Sequence, residues 1–384
     1  MRLRLYLTLL AALPGFAPSS AAEIDEALAA IKAVKREGAG NEAAAMRWKE
    51  LVKSGPGAVP AILAAFPGAD ATAVNWFRSA IDAIAENEAK AGRKLSAEQL
   101  ESFVKETKND PRARLLAFEL LERVQPDAGK RLLPAMQNDP GAGLRREAID
   151  YALKMADILA DNSNQQIQAR LRALFASARD VDQVEFIAKK LKTVGDREPN
   201  VVEHLGLITR WEIAGPFSNA GLKGYAAPLP KADSWTEFAT AQNRGLVDLY
   251  QALGNDKGVK NGKKEAVYAL CRTAIDSPSE RQAEVRVGSE NAVKIYVNGE
   301  EVFGREEYHH GQKLDQHIAR VTLKKGHNQI LLKVLQDDLI YDWTVDWHFQ
   351  CRVCDEIGGA IPMTVLTAVK AVPVAPKPEP KEKK

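Results

Sequence analysis

Four polar side chains near one another in the chain have the residue types that ligate metals or bond sugar hydroxyls. They are His309, His310, Asp315 and His317. Imidazole and carboxylate groups together can hold a transition metal. These four, however, lack a fixed helical i, i+4 spacing and have no third cysteine nearby. The pattern therefore favours exposed loop histidines over a metal site, and we expect no metal and no other cofactor.

Aromatic residues beside this cluster indicate a second chemistry, carbohydrate recognition. An aromatic ring packs on the apolar C–H face of a sugar, while Asp, Asn and His bond the hydroxyls. Tyr225, Trp235 and Tyr341 are further aromatics expected in loops. The candidate ligand-binding residues are Tyr308, His309, His310, Asp315, Tyr341 and Trp235. Two alternatives stay open: the aromatics pack at sandwich edges, and Asp315 with Gln316 only fixes its own loop.

The three cysteines suggest packing rather than chemistry. Cys351 and Cys354 form a C-x-x-C pair, but residues i and i+3 of a strand point to opposite faces. Their side chains should diverge, so buried or free thiols are favoured over a disulfide or a metal site. Cys271 lies in an apolar segment, Val267 to Ile275, and is expected in a core.

Motifs for enzymatic catalysis are absent from the sequence. There is no G-x-S-x-G elbow for a serine nucleophile and no G-x-x-x-x-G-K-[ST] phosphate loop. Acidic residues such as Glu86, Glu88 and Glu98 belong to helical patterns and are expected on solvent faces. We therefore predict that the protein is not an enzyme. A hydrolase with an unrecognised site is the least favoured alternative.

The two ends of the chain are set apart by composition. Residues 1–22 have a basic start, an apolar stretch and a small-residue site ending at Ala22, the layout of a cleaved signal peptide. The apolar stretch is too short to span a membrane because Pro14 and Gly15 interrupt it. Residues 363–384 are rich in proline and lysine and predict a disordered tail. The expected location is periplasmic or secreted, with no transmembrane segment in the mature chain.

Charge argues against a nucleic-acid partner. The chain has 53 basic and 51 acidic residues, and removing a signal peptide that contains two arginines leaves equal numbers. No stretch concentrates basic residues, so no nucleic-acid footprint is expected. A length of 384 residues suits two or three domains.

Residues 23–195 have helical periodicity. Apolar residues recur at i, i+3 and i+4 in segments of roughly 10 to 16 residues. Two breaks, Asn109-Asp110-Pro111 and Asn138-Asp139-Pro140, start 29 residues apart, and in each Asp can cap a helix whose first residue is Pro. This pattern resembles HEAT-type repeats, which implies an α-helical solenoid. An irregular helical bundle is the alternative.

Beyond Pro199 the periodicity changes from helical to two-residue alternation. Four alternating segments are expected to be strands; they centre on Ile295, Val321, Leu332 and Trp343 to Cys351. Asn298-Gly299 predicts a two-residue type I′ hairpin, since both central residues need positive φ. Short antiparallel strands of this kind predict a β-sandwich or jelly roll. The fold class is thus a multidomain α then β arrangement, a HEAT-like solenoid plus an antiparallel sandwich.

Residues 205–362 resemble a galactose-binding-like jelly-roll module of secreted bacterial proteins, similar to the sugar-binding domain of family 2 glycoside hydrolases. The resemblance is carried, in order, by Trp211 to Phe217, Ser289 to Gly299, Leu314 to Gln316, Leu323 to Val334 and Trp347 to Val353. The sequence departs from relatives at Ser289-Glu290-Asn291, where they commonly have an Asp-Asp pair, so a loop metal is not carried over. In those hydrolases the module is accessory, and this chain has no room for a barrel of about 250 residues.

Together these patterns predict an exported, non-enzymatic binding protein. The jelly roll is expected to bind carbohydrate, and the helical repeats are expected to serve as a scaffold for a protein partner. The alternative is a structural or assembly protein of the cell envelope that binds no sugar.

Overall fold

The computed structural model describes residues 21–35, 38–158, 164–197, 199–241, 243–254, 259–260, 263–264, 266–339, 341, 344 and 346–366. Most of the expected signal peptide and the tail beyond residue 366 lie outside these residues. Among the described residues, no helix combines the length and apolar character needed to cross a membrane. The chain divides into two compact units, residues 1–154 and 155–384.

The first unit is helical. Its helices are α1 Ala21–Lys32, α2 Asn41–Lys53, α3 Val59–Ala64, α4 Ala71–Lys90, α5 Ala97–Lys105, α6 Pro111–Val124, α7 Ala128–Leu132 and α8 Ala142–Ile158, the last of which continues past the boundary. Short 3-10 turns lie at Gly55–Ala58 and Leu133–Ala135. The apolar faces meet in one core that includes Leu51, Ile62, Phe77, Leu116 and Leu121.

The aspartates of the two Asn-Asp-Pro breaks bond nearby backbone N–H groups, and a buried ion pair links the two breaks. Asp110 accepts from Arg112 N at 2.9 Å and caps α6, with Pro111 in the first turn. Asp139, the second aspartate, likewise accepts from Gly141 N at 2.7 Å just before α8, and it also receives two hydrogen bonds of 2.8 Å from Arg114 of α6. The side chains of Arg114 and Asp139 are both buried. The second break is therefore bonded to α6, the helix that follows the first break.

The second unit combines helices with β strands. Its helices are α9 Asn164–Ser177, α10 Val181–Thr193, α11 Val201–His204 and α12 Leu249–Ala252. Its strands are β1 Arg210–Ser218, β2 Thr236–Ala239, β3 Val247–Asp248, β4 Val259–Lys260, β5 Lys263–Lys264, β6 Val267–Ser277, β7 Arg281–Ser289, β8 Val293–Val297, β9 Glu300–Arg305, β10 His317–Leu323, β11 Gly326–Leu335, β12 His348–Cys354 and β13 Thr364–Leu366. Short 3-10 turns lie at Ala220–Leu222 and Asn243–Gly245.

Two antiparallel sheets form the sandwich. The larger has the order β2-β1-β6-β11-β8-β9, with β13 also paired to β6, and the smaller has the order β10-β7-β12-β3. Alternate residues of both sheets meet in a shared core that includes Ile213, Cys271, Val287, Ile295, Leu332 and Phe349. The predicted α-then-β layout with antiparallel strands is therefore confirmed.

The hairpin predicted at Asn298-Gly299 is present. Asn298 has φ 52° and Gly299 has φ 87°, and Val297 of β8 faces Glu300 of β9. Asn298 also accepts from Gln329 N at 3.0 Å through its side chain. The turn is thus bonded to the neighbouring strand β11 as well as to its own hairpin.

Other details refine the boundaries read from the sequence. Helices α9 and α10 group with the sandwich in the second unit. Strand β12 begins at His348, while Trp343 and Val345, expected in the same strand, lie outside the described residues. Strand β13 falls within the range assigned to the tail. All three cysteines are buried free thiols. Cys351 belongs to the shared core.

Candidate functional site

Several loops of the sandwich meet at one end, which we call the loop end. Antiparallel strands run alternately toward and away from it, so every second connection lies there. The loop end comprises Asn219 after β1, Asp248 to Tyr250 at the end of β3, residues 290–292, residues 306–316 and, between β11 and β12, the described residues 336–339, 341, 344, 346 and 347. Four candidate residues, Tyr308, His309, His310 and Asp315, lie in one of these loops, and Tyr341 lies in another. The fold therefore brings these two sets to the same end of the sandwich.

His309 ties three of these loops together. Its Nε2 lies 2.7 Å from Asp337 Oδ2, and both side chains are buried. Its backbone N–H donates to Asn291 Oδ1 at 3.2 Å. The residue adopts a left-handed backbone conformation, φ 58°. Its backbone N–H and its imidazole thus bond residues of two different loops. His309 is thus a fixed part of the loop framework.

Tyr308 is half-buried against the outer face of the larger sheet. Its ring packs on a cluster that includes Tyr268, Tyr296 and Leu331. Its hydroxyl accepts from Asn219 Nδ2 at 3.2 Å, and burial raises the pKa of that hydroxyl. Asn219 is itself 0% exposed and donates to Gln336 O at 2.8 Å. Tyr308 therefore packs on protein along much of its ring.

Asp315 is held by two arginines of the smaller sheet. Arg352 Nε donates to Asp315 Oδ1 at 2.7 Å, and Arg286 Nη1 donates to Oδ2 at 2.9 Å. Burial alone would raise the pKa of the Asp315 carboxyl, but the bonds and charges of Arg352 and Arg286 outweigh burial and lower it. Arg352, 1% exposed, also donates to Gly358 O at 2.9 Å. The loop is fixed by these two arginines of the smaller sheet, and also by a hydrogen bond of 3.0 Å from Gln316 Nε2 to its own backbone at Gly311 O.

His310 and His317 form a pair of imidazoles. Their ring centroids are 5.7 Å apart, and His310 Nδ1 accepts from Gln316 Nε2 at 2.6 Å. His317 packs against Phe303 at 5.2 Å, and burial lowers the pKa of His317. Among the described residues, no group of three or more His, Cys, Asp or Glu converges closely enough to hold a metal ion.

Tyr341 is the exposed aromatic among these loop candidates, with 57% of its surface accessible. A tight turn holds it. Tyr341 N donates to Thr344 Oγ1 at 2.8 Å, and the same hydroxyl lies 2.7 Å from Leu339 O. Asp338 and Asp346 of the same loop are also exposed. The loop thus presents an aromatic ring and carboxylates to solvent on a braced backbone.

His348 is a loop-end residue that the sequence analysis missed. Its Nδ1 lies 3.0 Å from Glu290 Oε1, and its Nε2 lies 3.7 Å from Asp248 Oδ2. Burial lowers the pKa of His348, but Glu290, Asp248 and Asp346 raise it further, so the net shift is upward. The departure at Ser289-Glu290-Asn291 was the available signal, because Glu290 is the residue that bonds this imidazole.

Trp235 lies away from the loop end, on the outer face of the larger sheet. Its ring stacks on the guanidinium of Arg272, whose Cζ is 3.9 Å from the ring centroid. Arg272 Nε donates to Glu212 Oε2 at 2.9 Å. Beside this group is a notch of about 200 Å³ bordered by strands β1, β2, β6 and β13. Trp235 therefore packs on a side chain that lines this notch, Arg272, and lies apart from the other five candidates.

Comparison with known proteins gives only weak similarities. No family model matches the chain, and no curated protein matches it significantly. A family 35 carbohydrate-binding module from an environmental isolate is 15% identical, with 29% of this chain and 82% of that one covered and a TM-score of 0.21. The PA14 sugar-binding domain of an RTX adhesin is 16% identical, with 41% and 94% covered and a TM-score of 0.23. A β-glucosidase from Kluyveromyces marxianus is 10% identical, with 71% and 35% covered and a TM-score of 0.27.

Such low TM-scores and identities establish neither a family nor a ligand. The likeness to HEAT repeats and to the sugar-binding domain of family 2 glycoside hydrolases stays a prediction from sequence.

Proposed function

We propose that this chain is an exported, non-enzymatic glycan-binding protein whose sandwich binds carbohydrate at the loop end. The observation that carries the proposal is Tyr341, an aromatic ring 57% exposed on a turn that the buried Thr344 side chain braces. A ring held in place before binding loses little conformational entropy when a sugar stacks on it. Asp338 and Asp346, exposed in the same loop, supply acceptors for sugar hydroxyls.

The hydrogen bonds that join the loops of the loop end support the same function. Asn219, His309 and Asp337 bond loops to one another. Asn291 Nδ2 adds a bond to Asp346 O at 3.2 Å. Buried polar groups that are fully bonded rigidify the segments they join. A rigid loop end suits a binding surface, whose polar groups must be in position before a ligand arrives.

Export and the lack of catalysis are the parts of this proposal that rest on sequence. The layout of residues 1–22 favours a signal peptide, which implies a periplasmic or secreted product. The missing nucleophile and phosphate motifs favour binding without catalysis. The alternative, a structural or assembly protein of the cell envelope, predicts that the loop end binds no sugar.

A groove in the helical unit favours a second role, docking of a protein partner. The groove has a volume of about 700 Å³ and lies between α3 and α5. Its walls include Pro60, Leu63, Leu95 and Phe103, with Glu98 and Glu106 among its polar residues. Apolar walls beside carboxylates suit an extended peptide with apolar and basic side chains.

The test of the main proposal is a glycan array probed with the labelled mature chain beginning at Glu23. Hits are then measured by calorimetry with Tyr341→Ala and the matched control Tyr341→Phe, which keeps the ring. We expect Tyr341→Ala to weaken binding about tenfold, or about 1.4 kcal/mol, with an unchanged melting temperature, and Tyr341→Phe to stay near wild type. An array without hits, or equal affinities for both variants, would reject the proposal.

A further inference from the structure

The groove between α3 and α5 is complementary to a segment of the chain itself. Building on its proposed docking role, on which this step rests, we propose that the groove binds the tail segment, residues 367–384. This segment lies outside the described residues. It is supplied by the same copy of the chain or by a neighbouring one, and the contacts with the groove are the same in both cases.

The groove is apolar and has room for an extended peptide. Leu63, Leu95 and Leu100 are buried in its walls, Phe103 is half-buried, and Pro60 is exposed. Its volume of about 700 Å³ falls within the roughly 300 to 1,000 Å³ typical of ligand pockets. Prolines and valines that enter the groove would remove apolar surface from water, which favours binding.

Two carboxylates give the groove its charge. Glu98 in α5 and Glu106 just after it line the groove, and none of the described residues that line it is basic. Glu101, on the same helix, pairs with Lys105 and Arg131. Within the described part of the chain, neither Glu98 nor Glu106 has such an ion-pair partner. The groove therefore favours a cationic ligand.

The tail segment has the complementary composition. It contains five lysines and two glutamates, and it has four prolines from Pro373 to Pro380. Proline-rich sequences favour the polyproline II conformation, an extended helix with three residues per turn. Because such sequences populate this conformation before binding, they lose little conformational entropy when they enter an apolar groove.

The spacing of the charges also agrees between the two partners. Glu98 and Glu106 are eight residues apart, which is about 12 Å along a helix that rises 1.5 Å per residue. Lys377 and Lys381 are four residues apart, which is also about 12 Å at the 3.1 Å rise of polyproline II. The two lysines can therefore reach both carboxylates at once. Phe103 lies between the two glutamates in sequence, so the prolines between the lysines can pack on its ring.

Zero-length cross-linking of the mature full-length chain tests the proposal. A carbodiimide joins a lysine amine to a carboxylate only where the two groups touch, and mass spectrometry identifies the linked residues. We expect cross-links from Lys377 and Lys381 to Glu98 and Glu106 to exceed those to Glu42 at least fivefold. Glu42 is an exposed glutamate of α2 that does not line the groove. Similar yields at all three glutamates would overturn the proposal.

Tail variants separate docking in the groove from attraction by charge alone. Replacing both Pro378 and Pro380, the prolines between the two lysines, by serine keeps every charge. This double variant should lower the cross-link yield at least threefold while the melting temperature stays unchanged. The matched control replaces Ala371 and Ala375 by serine, keeps all prolines, and should stay near wild type. Equal yields for the two double variants would contradict docking of the prolines.

A second measurement separates failure of the tail segment from failure of the docking role. The full-length chain with labelled leucine methyl groups is titrated by NMR with a decapeptide of alternating leucine and lysine. Shifts of the Leu63 and Leu100 signals without the preferred cross-links would leave the docking role in place and overturn only the tail segment as occupant. The absence of both the shifts and the cross-links would overturn both.

Discussion

Arg352 reaches across the smaller sheet and bonds both carboxylate oxygens of Asp315, with Nε 2.7 Å from Oδ1 and Nη2 bonded to Oδ2. The arginine is almost wholly buried and also meets Leu205 O at 3.3 Å. Asp315 therefore neutralises a charge inside the second unit. This explains why a residue that resembles a sugar ligand in sequence has a structural role here.

Replacing Asp315 should destabilise the second unit. Asp315→Ala leaves the buried guanidinium of Arg352 without its carboxylate, and losing one partner of a buried pair costs about 3 to 5 kcal/mol. Urea unfolding followed by tryptophan fluorescence measures the change. Asp338→Ala, at an exposed position of a neighbouring loop, is the control and should change stability by less than about 0.5 kcal/mol. Equal stabilities for both variants would refute the structural role.

His348 should make stability depend on pH in a defined direction. Its folded-state pKa is raised by the three carboxylates around it, so its contribution is complete below the unfolded value of about 6.5 and is lost as pH rises through the folded pKa. The gap in melting temperature between wild type and His348→Gln should therefore be wider at about pH 5.5 than at about pH 8.5.

His317 should show the opposite pH dependence of melting temperature from His348. Burial lowers its pKa, so the neutral imidazole is favoured and its contribution is lost as pH falls below the unfolded value. The pH dependence of the gap for His317→Gln should have the opposite sign. Curves of the same sign for both variants would contradict the assigned environments.

The hairpin turn gives a prediction about backbone strain. Gly299 has φ 87°, a conformation that β-branched residues resist, so Gly299→Val should cost about 1 to 3 kcal/mol of unfolding free energy. Gly299→Asn is the matched control, because asparagine tolerates positive φ and should cost less. Chemical denaturation of both variants tests this, and a smaller cost for valine than for asparagine would exclude a strained turn.

Helices α9 to α11 should contribute to the stability of the sandwich. Arg244, next to β3, pairs with Glu185 of α10. A fragment of residues 155–366 should therefore melt at a higher temperature than one of residues 205–366. Matching melting temperatures in scanning calorimetry would show that the helices are dispensable.

The sequence predicts best what depends on neighbours along the chain. Two-residue alternation predicted a strand through Ala319, Val321 and Leu323, which lie in β10, and Asn298-Gly299 predicted a turn that the structure contains. His317, expected in an exposed loop, is instead the buried first residue of β10. The side chains that meet across neighbouring strands could not be predicted from the sequence. Nothing local to Asp315 indicates that Arg286 and Arg352 face each other on adjacent strands. For the same reason, Tyr308 and Trp235 were identified as aromatic residues, but Asn219 and Arg272, which position them, were not.

The bonds that join Asn219, Tyr308 and Gln336 limit which substitutions this surface can accept during evolution. Each of these residues belongs to a different loop, and altering one leaves a buried partner unsatisfied in another. Changes at this surface should therefore occur mostly at exposed tips such as Leu339 and Tyr341, while the bases of the loops change only together. An engineer who transplants one loop into another sandwich should carry its partner loops with it.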